Sequence, residues 1–253
     1  MSALQTRREG PVWIITIDRP EVKNAIDAAT ARDMNAAMDA LDDDDTLFLG
    51  IITGAHGVFS AGADLKAAAR GGPPARAARG QFGLCETPPG KPLIAAVEGL
   101  AFGGGFEICL ACDLIVAATD ACFALPEVKH NLVALGGGAI RLPHRLPYHV
   151  AMEAALTGAA LSAELLKGYG VVNRIAARGQ ALEAALALAA ELLRNGPTAL
   201  AATARIMRAS SAAGEQKLWR AQRDLAATAL HAEDRDEALR AFTEKRAPEW
   251  SGR

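Results

Sequence analysis

No stretch of the chain reaches the roughly 18 consecutive apolar residues that a helix needs to cross a bilayer, and the opening MSALQTRREG has no long apolar core of the kind a secretory signal carries. A cytoplasmic protein that makes no use of a membrane is expected. Cysteine is scarce as well. The four residues at 85, 109, 112 and 122 are too few for a disulfide scaffold, and the single C-x-x-C, at 109–112, lies in an apolar segment with no second pair. Buried, reduced thiols are expected there. Charge of one sign is also missing: 27 Lys and Arg stand against 29 Asp and Glu, a net charge of −2. Without a basic excess there is no electrostatic footprint for nucleic acid or an anionic membrane. Aromatic residues, only 5% of the chain, are nowhere interleaved with a Lys/Arg cluster. Any anionic ligand must therefore be held by local groups. Histidines 56, 130, 144, 149 and 231 show no metal-ligand spacing with a carboxylate or thiol, so neither a metal nor a redox cofactor is expected. Phosphate loops are absent too, since no G-x-x-x-x-G-K-[ST] occurs and GGGFEI does not supply G-x-G-x-x-G.

What is present is apolar side chain: 51% of 253 residues, enough for one large domain or a domain with an appendage. Residues 11–17 (PVWIITI) and 47–53 (LFLGIIT) are β-branched runs bounded by turn residues, and residues 27–43 between them have helical spacing of Ala, Met and Leu. The order strand, helix, strand follows. Residues 92–98 and 114–118 read as buried strands and 122–125 as a short one. From about Gly136 the pattern turns helical, over 137–146, 148–157, 162–168, 178–195, 198–211, 215–232 and 235–246, with 170–176 as an interrupting strand and NGP at 195–197 as a break. Residues 67–80, rich in Gly, Pro and Arg, read as a mobile loop or frayed helix.

One stretch carries a chemical question. FGGGFE, residues 102–107, places three glycines and a carboxylate between two apolar runs. Glycines let backbone N–H groups approach a ligand, and a helix that starts at them points free N–H groups outward with a favourable partial charge. Gly104 and Glu107, three apart, can then face one side. Glu107 can also serve simply to complement the helix N-terminus, but the apolar residues that follow argue for a buried helix, where an idle carboxylate costs more than it returns. A second glycine loop, GVFSAGADLK at 57–66, follows a strand end, where α/β sheets tend to bind ligands. Glu127, twenty residues beyond Glu107, follows a short apolar run and a proline and can return beside it.

Together, RPEVKNAID (19–27), FSAGADLK (59–66), EGLAFGGGFEICLACD (98–113), FALPEVK (123–129) and FTEKRAPEW (242–250) resemble the enoyl-CoA hydratase/isomerase, or crotonase, family over nearly the whole chain. The resemblance implies an α/β fold: a crotonase-like spiral of β-β-α units over residues 1–195 and a helical C-terminal trimerisation region over 196–253. A homotrimer or dimer of trimers would follow. It implies an acyl-CoA thioester as substrate, with coenzyme A part of the substrate rather than a cofactor, and a reaction of the fatty-acid β-oxidation type. Carried over by position, the oxyanion hole falls on the N–H groups of Ala63 and Gly104. The two hydratase glutamates fall on Glu107, which would hold and activate water, and Glu127, which would donate the proton. Around coenzyme A the resemblance places backbone groups of Ala25, Ala61, Asp64 and Leu65, with Lys23 and Lys66 near phosphate or pantetheine. Retention of both glutamates points to hydration of an enoyl-CoA. An enoyl-CoA isomerase, needing one glutamate, and a non-catalytic acyl-CoA binder are the alternatives. Leu135 stands where some isomerase relatives carry aspartate, and VALGGG (133–138) replaces the usual proline-glycine turn, which argues against dienoyl isomerisation. LVALGGGAIRLPHRLP (132–147) resembles the branch that holds carnitinyl-CoA dehydratase-like proteins.

Overall fold

The computed structural model describes residues 3–211, 217–219, 221, 222, 227 and 233–249. A six-stranded sheet forms its frame, in the order β1 (Leu4–Glu9), β2 (Val12–Ile17), β3 (Leu49–Gly54), β6 (Leu93–Val97), β8 (Leu114–Ala118), β11 (Arg174–Ala176). β1 pairs antiparallel with β2, and every later neighbour is parallel. β2, β3, β6 and β8 are buried on both faces, which is why their sequences are nearly continuous apolar runs. Alternate residues supply two cores. Ile15, Ile17, Ile52, Leu93, Ala95 and Val97 face one side, with α1 (Ala28–Asp43) and α3 (Gly104–Ala111). Ile14, Leu49, Ile51, Ile94, Ala96 and Val116 face the other, against Ala185, Leu188 and Ala189 of α7 (Ala181–Leu192).

α1 begins at Asp27, whose carboxylate accepts from the Thr30 amide at 2.8 Å, and it buries Ala31, Met34, Met38 and Leu41 at helical spacing. α7 is capped from a distance instead. The buried carboxylate of Glu98, just past β6, accepts from Gly179 N at 2.9 Å and Ala181 N at 2.8 Å. Glu98→Ala leaves those helix-start donors unpaired in an apolar setting, so it is expected to cost about 1 to 3 kcal/mol of stability. Chemical denaturation would register this as a lower midpoint, with unchanged activity per folded molecule.

A second, smaller sheet shares a core with the first. β7 (Leu100–Phe102) pairs parallel with β9 (Cys122–Ala124), which pairs antiparallel with β10 (Leu161–Ser162). Isolated bridges Ile26↔Ala63 and Ser60↔Ala101 extend this layer to the loops after β2 and β3. Each turn of chain thus adds a long strand to one sheet and a short step to the other, the spiral of β-β-α units that the resemblance implied.

Several expectations need correction. β1 shows no apolar alternation in its sequence, because LQTRRE buries only Leu4 and its charged side chains belong to an exposed edge strand. The strand expected over 170–176 starts only at Arg174, since the Val171 and Val172 amides turn back to the Leu166 carbonyl. The helix expected over 137–146 is α4 (Gly138–Arg141) followed by a 3-10 turn, Leu142–His144, around Pro143. Residues 67–80, expected as a mobile loop or frayed helix, carry more defined structure than a loop alone. They hold the end of α2 (Leu65–Ala69) and a small hairpin of β4 (Arg76–Ala77) and β5 (Gly80–Gln81). Charge pins this segment: Arg76 pairs with Glu86, and Arg79 pairs with Asp39 and Asp42 of α1.

Helices expected at 148–157, 162–168 and 198–211 are present as α5 (Tyr148–Thr157), α6 (Ala163–Gly168) and α8 (Pro197–Ser211), and that at 235–246 as α9 (Glu233–Glu244). Most of 215–232 lies outside the described residues. Cys85, Cys109 and Cys112 are buried free thiols and Cys122 is half-buried; burial pushes the acidity of the first three well to the alkaline side. Among the described residues no helix is long and apolar enough to cross a membrane.

Candidate active site

The second layer delivers two loops to one place. Ile26 N donates to Gly62 O at 2.7 Å and Asp64 N to Ile26 O at 2.9 Å, so the Ala63 amide between them points away from the ladder. Phe102 N donates to Ser60 O at 2.9 Å, and Gly103 N to Ala124 O at 2.8 Å. Gly104 follows as the first residue of α3. The loops meet at Gly62, whose φ is +90°. A Cβ there would lie 2.6 Å from the Phe102 carbonyl oxygen and 2.8 Å from the Gly104 nitrogen, so only glycine permits this approach. Among the described residues, neither Ala63 N–H nor Gly104 N–H donates a hydrogen bond to the backbone. Both are amides of the kind an anionic oxygen takes up.

One turn into α3, Glu107 is 1% exposed. Its Oε1 accepts from Gly138 N at 2.8 Å, and its Oε2 lies against Gly136, where a Cβ would come within 2.6 Å. Burial, and then the negative field of Glu127, push its pKa upward; the Gly138 and Gly136 amides and Arg141 oppose them. Glu127 follows Pro126 in the 3-10 turn Pro126–His130, which Asn131 closes in the left-handed region. Its Oε1 faces Gly103, 3.0 Å from where a Cβ would sit, and its Oε2 is buried with no hydrogen-bond partner among the described residues. Burial raises its pKa too. Both carboxyls therefore resist ionising, Glu107 being pushed up to about 8 and Glu127 to about 7. A pair of this kind can keep a proton on one member while the other accepts one.

The expected coenzyme A residues line the same bridge. Lys23, left-handed and exposed, accepts Ala61 N on its carbonyl at 3.0 Å. The Ala25 carbonyl accepts from Arg19. Asp64 caps α2 through Ala67 N at 3.0 Å and ion-pairs with Arg19 at 3.1 Å. Its carboxylate is thus committed to the scaffold, while Leu65 and exposed Lys66 begin α2.

Sequence reasoning missed several supports. Arg19 ties Asp27 at 3.0 Å to Asp64. Ser60 Oγ donates to the Asn24 carbonyl at 2.8 Å and accepts from Gly62 N at 3.1 Å. Arg141, buried one turn after Gly138, donates to the Cys85 carbonyl at 2.7 Å and lies 5.4 Å from the Trp219 ring centre. Phe82 covers Gly104. The only signal for this group was the glycine cluster at 136–138. A separate cavity between α8 and the core, bordered by Cys112, Arg145 and Met207, contains neither carboxylate. No cluster of His, Cys, Asp and Glu fit for a metal occurs among the described residues.

Comparison with known proteins points the same way. A family model described as enoyl-CoA hydratase/isomerase matches residues 7–253. A carnitinyl-CoA dehydratase of Salmonella typhi is 45% identical over 99% of both chains. Among solved structures, a carnitinyl-CoA hydratase from Mycobacterium avium is 38% identical with a TM-score of 0.94, and an enoyl-CoA hydratase from Mycobacterium tuberculosis H37Rv is 46% identical with a TM-score of 0.81; each alignment covers 100% of both chains.

Proposed function

The chain belongs to the enoyl-CoA hydratase/isomerase family, and on that footing we propose that it catalyses the reversible addition of water across the 2,3 double bond of an enoyl-CoA thioester. The observation that carries this reading is the pair of buried Glu107 and half-buried Glu127 beside the unengaged amides of Ala63 and Gly104. The thioester oxygen takes hydrogen bonds from both amides. Although Glu107 is pushed higher, to about 8, than Glu127, to about 7, the reacting form is the one in which Glu127 keeps the proton; water held by the carboxylates then gives its proton to ionised Glu107 as its oxygen bonds to Cβ. The pair of electrons from the double bond moves onto the thioester oxygen as an enolate. Glu127 then protonates Cα, and the carbonyl re-forms. Each amide is worth roughly 2.7 to 4 kcal/mol at the transition state if its aim is good, and each proton transfer roughly 10²- to 10⁴-fold.

Run backward, the same steps eliminate water from a 3-hydroxyacyl-CoA. The 45% identity to a carnitinyl-CoA dehydratase favours carnitinyl-CoA as a second candidate substrate. A double-bond shift needs only one carboxylate, so the presence of both supports hydration over isomerisation. Purified protein is expected to bleach the conjugated thioester absorbance of crotonyl-CoA, and chromatography should recover 3-hydroxybutyryl-CoA. Parallel incubation with carnitinyl-CoA measures the second candidate. Binding of both esters without turnover of either would overturn the catalytic reading in favour of an acyl-CoA binder.

A further inference from the structure

Phe82 stands beside the catalytic pair in a backbone conformation that a bulky residue adopts only under constraint: its φ is +56°. The constraint is visible on both sides. Phe82 N donates to the Ala75 carbonyl at 2.8 Å, and Arg79, three residues earlier, pairs at 2.7 Å with both Asp39 and Asp42 of α1. On the other side, Gly83 presses onto α1 so closely that a Cβ would lie 2.2 Å from the Ala31 carbonyl oxygen. The backbone is pinned, and the ring cannot retreat with it.

The ring, in a residue only 6% exposed, points into the site. Its Cζ lies 2.3 Å from where a Cβ on Gly104 would sit, and its Cε2 lies 2.9 Å from the same point on Gly136. Gly136 in turn covers Oε2 of Glu107. The ring therefore lies against Gly104 and Gly136, beside the oxyanion amide and the carboxylate, and the absence of side chains at those two residues makes that position available.

We infer that Phe82 is the specificity-determining wall of the acyl pocket, stopping the acyl chain a few carbons beyond the reacting bond and selecting short acyl-CoA thioesters. The inference rests on the proposed reading for which atoms react, but the wall itself can be measured by binding. Each methylene moved from water into apolar cover is worth roughly fourfold in affinity. Wild-type protein should gain little of this from a longer chain, whereas Phe82→Ala and Phe82→Gly, the latter free of backbone constraint, should release it.

Calorimetric titration with butyryl-CoA and decanoyl-CoA tests this on wild type, Phe82→Leu, Phe82→Ala and Phe82→Gly. The affinity ratio of decanoyl to butyryl is expected to rise at least about tenfold from wild type to Ala or Gly, with Leu between. Because a ratio is read, a uniform loss through looser folding cancels. A ratio that stays within about threefold across all four proteins overturns the wall. Turnover of crotonyl-CoA and 2-decenoyl-CoA is measured alongside; a shifted affinity ratio without turnover would leave the wall standing while removing the hydratase reading.

Discussion

Glu127→Gln is expected to lower kcat for crotonyl-CoA hydration by roughly two to four orders of magnitude, the usual contribution of a general acid or base, while butyryl-CoA binds about as tightly as before. The argument turns on the proton. Gln keeps the size and both polar atoms of the side chain but cannot deliver a proton to Cα or share one with Glu107. The pH dependence gives an independent reading. Glu107 is raised first by burial and next by the charge of Glu127, so removing that charge should move the acid limb of kcat/KM downward. Stability should change in the opposite sense to activity. Because the folded-state pKa of Glu127 lies above its ordinary 4.5, ionising it costs the folded protein free energy that the unfolded chain does not lose. That penalty is absent below pH 4.5 and grows as pH rises through the shifted value. Glu127→Gln should therefore melt higher than wild type at about pH 8 and near it at about pH 4. Undiminished kcat would remove Glu127 from the mechanism, whatever the melting curves show.

The parts of this molecule that were legible in its sequence are those whose contacts are local or periodic. β2, β3, β6 and β8 announce themselves because parallel strands buried on both faces must be apolar throughout. α1 does so because one face of Ala, Met and Leu repeats at helical spacing. β7 is only three residues between glycines, too short to show a period. The glycine run at 103–105 indicated a helix start with free amides, yet the meeting of Glu107 with Glu127 came from the resemblance and not from any local pattern. The same limit hid the groups that tune the pair. Gly138 reaches Glu107 across 31 positions and Arg141 reaches Cys85 across 56. Neither a turn rule nor a helical period relates residues so far apart. Phe82 was hidden for a different reason: its importance lies in a ring filling space that two distant glycines vacate.

Gly104→Ala separates the oxyanion amide from ordinary packing, and its expected effect is about 10²- to 10³-fold on kcat, that of losing one aimed donor. The amide itself survives the substitution; its aim does not. A Cβ at this position would sit 2.3 to 2.7 Å from three atoms of the Phe82 ring, well inside van der Waals contact. The ring's backbone is held to α1 through Gly83 and Arg79, so the strain falls on the start of α3 and rotates the Gly104 N–H away from the thioester oxygen. Overpacking of this kind also costs about 1 to 3 kcal/mol of stability. The two effects part company in the double variant Gly104→Ala/Phe82→Ala, in which the clash is relieved. Its kcat for crotonyl-CoA should recover if displacement of the amide caused the loss, although its melting temperature should stay low, since deleting a buried phenyl ring itself costs roughly 3 to 5 kcal/mol. If Gly104→Ala lowers the melting temperature yet leaves kcat per folded molecule intact, Gly104 serves packing alone and the thioester oxygen must find its charge stabilisation elsewhere.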